Sequence, residues 1–204
     1  MSEHRVTTLA ELEVLYDAVN PVALKKETKH LTPQYRRLVE AAPFFAFASV
    51  GDGGLDCSPR GDSAGFVAVL DDKTLAIPDR RGNNRIDTLR NIITDPRVAL
   101  LFLIPGVGET LRINGAAEIS TNPELIARFA HDGKPPKSVI IVHIDAVYFQ
   151  CAKAIVRSKL WDSATQVART SLPSTGELVQ SAVADFDGKE YDKNAPARLQ
   201  QTLY

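Results

Sequence analysis

The sequence predicts a mainly β fold with peripheral helices, of the α+β class, built from antiparallel hairpins. Three observations carry this. First, the apolar run 44–50 and the run 55–60 flank Gly51-Asp52-Gly53-Gly54, the composition of a tight hairpin turn. Second, the apolar run 97–104 and the alternating segment 110–119 flank Pro105-Gly106-Val107-Gly108 in the same way. Third, the helical segments between strands are short. A doubly wound parallel sheet needs a helix after nearly every strand, and hairpins forbid that. At least six strands in hairpin order argue for an antiparallel barrel or a tightly curled sheet.

The 204 residues read as one domain: a helical N-terminal layer (1–42), a core (43–162) and an extension (163–204). Residues 8–18 form a helix candidate, with Thr8 and Glu11 at capping-box spacing and Leu9, Leu12 and Tyr16 as an apolar stripe. Asn20-Pro21 breaks it, and a second helix runs from Val22 into Lys25-Lys26-Glu27. Thr32-Pro33 then pairs an N-cap with a proline at the first helical position, and the helix 34–42 turns Tyr35, Leu38 and Val39 inward. Strands follow at 44–50, 55–60, 66–70 and 74–78. A short helix at 86–93 places Ile86, Leu89, Ile92 and Ile93 on one face, with Asn83 or Asn84 as N-cap. Asp95-Pro96 stops it. In the strand 110–119, Leu111, Ile113 and Ala116 point one way and Thr110, Arg112 and Asn114 the other. A helix at 123–131, a long strand at 138–150 and a turn or helix at 151–161 complete the core. The extension is polar and small, and either packs on a neighbour or is loosely held.

Composition narrows function. The hydrophobic content of 44% and charged content of 24% are those of a soluble globular protein, and the net charge of -1 provides no basic field for nucleic acid. No apolar run approaches the roughly 20 residues of a membrane span, and the first residues lack the apolar core of a signal peptide. Cys57 and Cys151 lack CxxC spacing, which fits a cytoplasmic protein with free thiols. His4, His30, His131 and His143 show no metal-ligand spacing; His143, in an apolar strand, reads as a core or interface residue. Nucleophile-elbow, P-loop, zinc-protease and dinucleotide fingerprints are absent.

Chemistry concentrates at Ile77-Pro78-Asp79-Arg80-Arg81-Gly82-Asn83-Asn84-Arg85. Three arginines crowd a helix start, where the helix dipole favours negative charge. A phosphate would relieve them, taking donors from helix amides, Asn side chains and guanidinium forks; the alternative is a solvated, charged turn. Arg60, with Gly61 and Asp62 beside it, can also present donors to an anion, or close a turn through an Arg60–Asp62 contact. Thr110 and Arg112 lie on a polar strand face that either lines a site or meets solvent. Lys153, Arg157 and Trp161 recur at helical spacing and would share one face suited to a flat anionic ligand, or bury Trp161 with the cations in solvent.

In their order along the chain, Ser58-Pro59-Arg60-Gly61-Asp62, the Pro78-to-Arg85 loop, Asp95-Pro96-Arg97 and Glu109-Thr110-Leu111-Arg112-Ile113-Asn114-Gly115 resemble the pyridoxamine 5′-phosphate oxidase-like FMN-binding proteins over roughly residues 43–162. The resemblance implies an antiparallel split β-barrel homodimer with FMN at the subunit interface. It also implies flavin-dependent oxidoreductase activity on a substrate it does not identify. Arg60, Gly61 and Asp62 would run along the flavin. Ile77, Pro78 and Asp79 would meet the ring edge and ribityl chain, and Asn83, Asn84 and Arg85 the phosphate. The family's usual Arg-Lys pair is replaced here near Asn83-Asn84, which shifts the phosphate donors to Arg81 or Arg85. Thr110, near Arg112, would reach the flavin from the partner subunit, and Lys153 or Arg157 would supply a cation at the N1–C2=O edge. The family's C-terminal substrate signature is absent, so vitamin B6 oxidation is not implied. A nicotinamide is the expected electron donor. A non-catalytic flavin carrier or redox sensor, or a haem- or deazaflavin-binding relative, is the alternative.

Overall fold

The computed structural model describes residues 4–204; residues 1–3, and with them the start of the segment read as lacking a signal peptide, lie outside it. The helical layer holds α1 (Leu9–Glu13), α2 (Pro21–Lys25) and α3 (Pro33–Ala41). Thr8 and Glu11 close the expected capping box, Asn20 caps α2, and Thr32 with Pro33 starts α3. The stripe on α1 finds no core: Leu9 is 76% exposed and Tyr16 is exposed as well. One turn of helix covers too little surface to bury it. By contrast, Val39 of α3 is fully buried, and Tyr35 and Leu38 pack beside it.

The strands are β1 (Phe44–Gly51), β2 (Gly54–Gly61), β3 (Ala68–Val69), β4 (Thr74–Pro78), β5 (Arg97–Leu103), β6 (Thr110–Ser120) and β7 (Val139–Gln150). They form one sheet in the order β2-β1-β5-β6-β7-β4-β3, with every pairing antiparallel. β2 and β3 are its edges, so the sheet curls into a split barrel and does not close. The strand expected at 66–70 keeps only two paired residues. Between strands lie α4 (Asp87–Thr94) and α5 (Pro123–Arg128); α6 (Lys153–Ser158), α7 (Thr175–Ala182), α8 (Gly188–Lys193) and α9 (Ala195–Thr202) follow β7. Among the described residues no helix is long and apolar enough to cross a membrane.

Alternation buries one face of each central strand. Phe45, Phe47, Leu100, Phe102, Leu111 and Ile113 meet inside the curl, with Phe45 stacked on Phe66 at 5.7 Å and tilted against Phe102 at 4.8 Å. In β6 the inward position is Gly115, followed by buried Ala117; Ala116, expected inward, faces out. Strand period puts 111, 113, 115 and 117 on one side. A Cβ at Gly115 would lie 2.0 Å from the His143 carbonyl, so only glycine fits this approach. The register slips at this point, leaving Asp145 of β7 unpaired. Residues 139–142 of β7 are buried on both faces, the second covered by Phe129, Leu125 and Ile126. Just before the slip His143 faces outward, 3.6 Å from Glu118, so it is not a core residue.

Candidate functional site

The end of β2, the end of β4, the loop 79–86, the start of α4, the turn 134–137 and Tyr204 enclose a cavity of about 780 Å³, within the size range of small-molecule and cofactor sites. Six cations (Arg60, Arg80, Arg81, Arg85, Lys134 and Lys137) and two carboxylates (Asp79 and Asp87) line it. In a chain of net charge -1 this is a strong local positive field. Pro59, Phe66, Pro78, Ile86 and the Pro135-Pro136 pair supply apolar wall. The structure therefore brings together Arg60, Gly61, Pro78, Asp79, Arg81, Asn83, Asn84 and Arg85 from the expected set. Ile77 is 0% exposed, and its side chain belongs to the core.

The arginines divide by what holds them. Arg80 donates through Nε to Asp62 Oδ2 at 2.7 Å and through Nη1 to the Phe129 carbonyl at 2.7 Å. Its side chain is 21% exposed and that of Asp62 only 4%. Asp62 thus holds Arg80 in the wall. Its pairing is with Arg80 and not with Arg60, which donates to the Pro59 carbonyl at 2.9 Å. Burial alone would raise the Asp62 carboxyl. Hydrogen bonds from Tyr204, the Ser63 amide and Arg80 outweigh it and hold the group below the usual carboxylate range. Arg85, 74% exposed, donates to Asp87 at 2.7 Å. Among the described residues no carboxylate lies within ion-pair reach of Arg81 or Arg60. Burial draws the Arg60 guanidinium below its usual value, opposed by Asp79 and Asp56; burial also pushes Asp79 up, opposed by Arg60 and Lys137.

The helix start differs from expectation. α4 begins at Asp87, and neither Asn83 nor Asn84 caps it; the N-cap is Ile86, with φ of 54° and no side-chain hydrogen bond. Asn83 instead accepts from the Arg85 amide, and Asn84 is also left-handed, at φ 60°. The loop spends its amide-forming side chain one turn too early to cap. As a result, among the described residues, the amides of Asp87, Thr88 and Leu89 meet no acceptor, and all three residues line the cavity. Free helix N–H groups beside Arg81 and Arg85 form an anion cradle.

Four expected residues lie elsewhere in this chain. Pro78 pairs with Val139 and Thr110 with Gln150, at opposite ends of β7. Eleven residue steps of strand separate them, roughly 35 Å at 3.3 Å per residue. Thr110 is buried, and Arg112 donates to the Tyr148 hydroxyl at 3.0 Å. Lys153 and Arg157 of α6 line a second, shallower hollow of about 390 Å³ with Lys26, Tyr148 and Gln150. Trp161 does not share their face: Lys159 turns left-handed at φ 51° and ends α6, and the Trp161 indole donates to the Val107 carbonyl at 2.7 Å. Sequence reasoning missed Lys134, Lys137 and Tyr204. Two lysines around Pro135-Pro136, a rigid cationic turn, were a readable signal; Tyr204 offered none.

A family model described as pyridoxamine 5′-phosphate oxidase matches residues 31–151. No curated protein matches the chain. Among solved structures, HupZ of Group A Streptococcus is 20% identical, with 59% of this chain and 94% of that chain covered and a TM-score of 0.50. A protein of the pyridoxinephosphate oxidase family from Clostridium acetobutylicum, related to general stress protein 26 of B. subtilis, is 13% identical, covering 58% and 86% at a TM-score of 0.46. An F420 reductase is 21% identical, covering 59% and 98% at 0.43. At these identities the likeness is one of fold.

Proposed function

We propose that this chain, which belongs to the pyridoxamine 5′-phosphate oxidase family, is an FMN-binding protein and a flavin-dependent oxidoreductase. The observation that carries the reading is the uncapped start of α4: three amides without acceptors, in a cavity whose lining is six cations against two carboxylates. The residues present fit the group. Arg81, Arg85 and the amides of Asp87, Thr88 and Leu89 would hold the phosphate dianion. Asn83 and Asn84 shape that loop. Arg60, Gly61, Pro78 and Asp79 form the wall along which the rest of the ligand would lie. Bound FMN would supply hydride and electron transfer. The chain's own contribution is to bind, to orient and to keep Asp79 partly desolvated next to Arg60.

A homodimer supports the remaining assignments. Thr110, Arg112, Lys153 and Arg157 lie at the far end of β7 from the cavity, so within one chain they cannot reach a ligand held there. A second copy would present them to it, placing the flavin at the subunit interface. The test is direct. The purified full chain should carry or take up FMN with the absorption bands of a protein-bound flavin, and should oxidise NADH or NADPH with an added acceptor. Full loading without turnover would make it a flavin-binding carrier or sensor. Failure to bind FMN would end the proposal.

A further inference from the structure

We infer that the extension after Asp162 latches onto the rim of this cavity through Tyr204, and that the latch holds a bound ligand in place. The extension packs chiefly on itself. A Cβ on Gly176 would lie 2.0 Å from the Gly188 carbonyl, so α7 and α8 cross at bare backbone. Asp192 accepts from the Gly176 amide at 2.7 Å, and the Arg198 guanidinium lies 3.7 Å over the Tyr191 ring. Among the described residues, every hydrogen bond between 166–204 and 4–162 is made by Tyr204.

That one attachment is well built. The Tyr204 hydroxyl donates to Asp62 Oδ1 at 2.7 Å, the oxygen not taken by Arg80. Its ring stacks on His131 at 3.8 Å and 16°, and the Arg80 guanidinium sits 5.5 Å from the ring centre. Lys134 reaches the Tyr204 main-chain oxygen at 3.4 Å. Asp62, nearly buried, therefore receives a charged donor from the barrel and a phenolic donor from the extension. Tyr204 also lines the cavity, beside Arg80 of the loop 79–86. Closing the latch sets Tyr204 in the cavity lining, and opening it takes only one residue's contacts.

The ligand arm of this inference rests on the FMN reading; the latch itself does not. Two measurements on the full chain separate them. Limited trypsin cleavage at the exposed Arg169 and Lys189, without ligand, should be faster in Tyr204→Ala by about tenfold, the scale of losing a hydrogen bond to a charged group. Tyr204→Phe, which keeps the ring, should fall between Tyr204→Ala and wild type. Unchanged cleavage in both variants overturns the latch whatever the protein binds. With FMN as the probe, stopped-flow release should be faster in Tyr204→Ala by a similar factor, with an unaltered circular dichroism spectrum as evidence of folding. Unchanged or slower release, in a protein that does bind FMN, overturns the ligand-holding role. If wild type takes up no FMN, the flavin reading fails, and trypsin alone decides the latch.

Discussion

Replacing Arg80 tests whether the cationic loop divides into a structural arginine and ligand-facing ones. Arg80→Met keeps the aliphatic bulk and removes two 2.7 Å hydrogen bonds, to Asp62 and to the Phe129 carbonyl. Exposed ion pairs are worth about 0.2–1 kcal/mol and breaking a buried one costs about 3–5 kcal/mol. With Arg80 21% exposed and Asp62 4% exposed, the pair sits between these limits. The expected cost is about 2–3 kcal/mol, read from guanidinium unfolding of the ligand-free chain. Asp62→Asn with Arg80→Met leaves no buried charge unpaired, so the double variant should lose less than the two single losses combined, by about 1 kcal/mol or more. The sign with pH follows from Asp62. Its folded carboxyl lies below the ordinary value of 3.8. Its contribution is therefore complete above pH 3.8 and fades as pH falls below that. Wild type and Asp62→Asn should converge in acid. An Arg80→Met cost under about 0.5 kcal/mol, or a strictly additive cycle, refutes the division of the arginines.

Other expectations follow from single residues. Arg81→Ala should weaken FMN binding by about 1.5–3 kcal/mol, and Arg85→Ala by less, because Arg85 already serves Asp87; fluorescence titration reads both, and the reverse order contradicts the assignment. Ile86→Asn should stabilise the ligand-free chain by about 1 kcal/mol, because a β-branched residue at φ 54° is strained where asparagine is tolerated; a lowered unfolding midpoint counts against that. Trp161→Phe should cost about 1 kcal/mol by freeing the Val107 carbonyl, with no change in FMN affinity; a change in affinity would place Trp161 in the site after all.

The barrel was legible wherever a local signal had a physical cause. Thr8 with Glu11 and Thr32-Pro33 cap helices in the structure as they do on paper, while Asn20-Pro21, read as a break, caps α2 as well. Strand alternation predicted the Leu111 and Ile113 face. It failed at Ala116 because Gly115, with no side chain to count, holds the inward position. The start of α4 was misplaced because Asn83 bonds the Arg85 amide, and no propensity announces an isoleucine in the left-handed region. The pairing of Arg80 with Asp62 joins residues 18 apart, and that of Tyr204 with Asp62 joins residues 142 apart. Such contacts depend on how the whole chain folds, which local pattern does not encode. For the same reason the anion cradle was readable, while its closing wall was not.

Comparing FMN with riboflavin on the full-length chain, by titration at fixed ionic strength, probes the claim that a phosphate sits at the uncapped start of α4. The two ligands differ only in that group. The account predicts that FMN binds at least about 100-fold more tightly, the scale of two charge-assisted contacts, and that inorganic phosphate competes with FMN. Equal affinity for the two ligands, with no effect of phosphate, would contradict it.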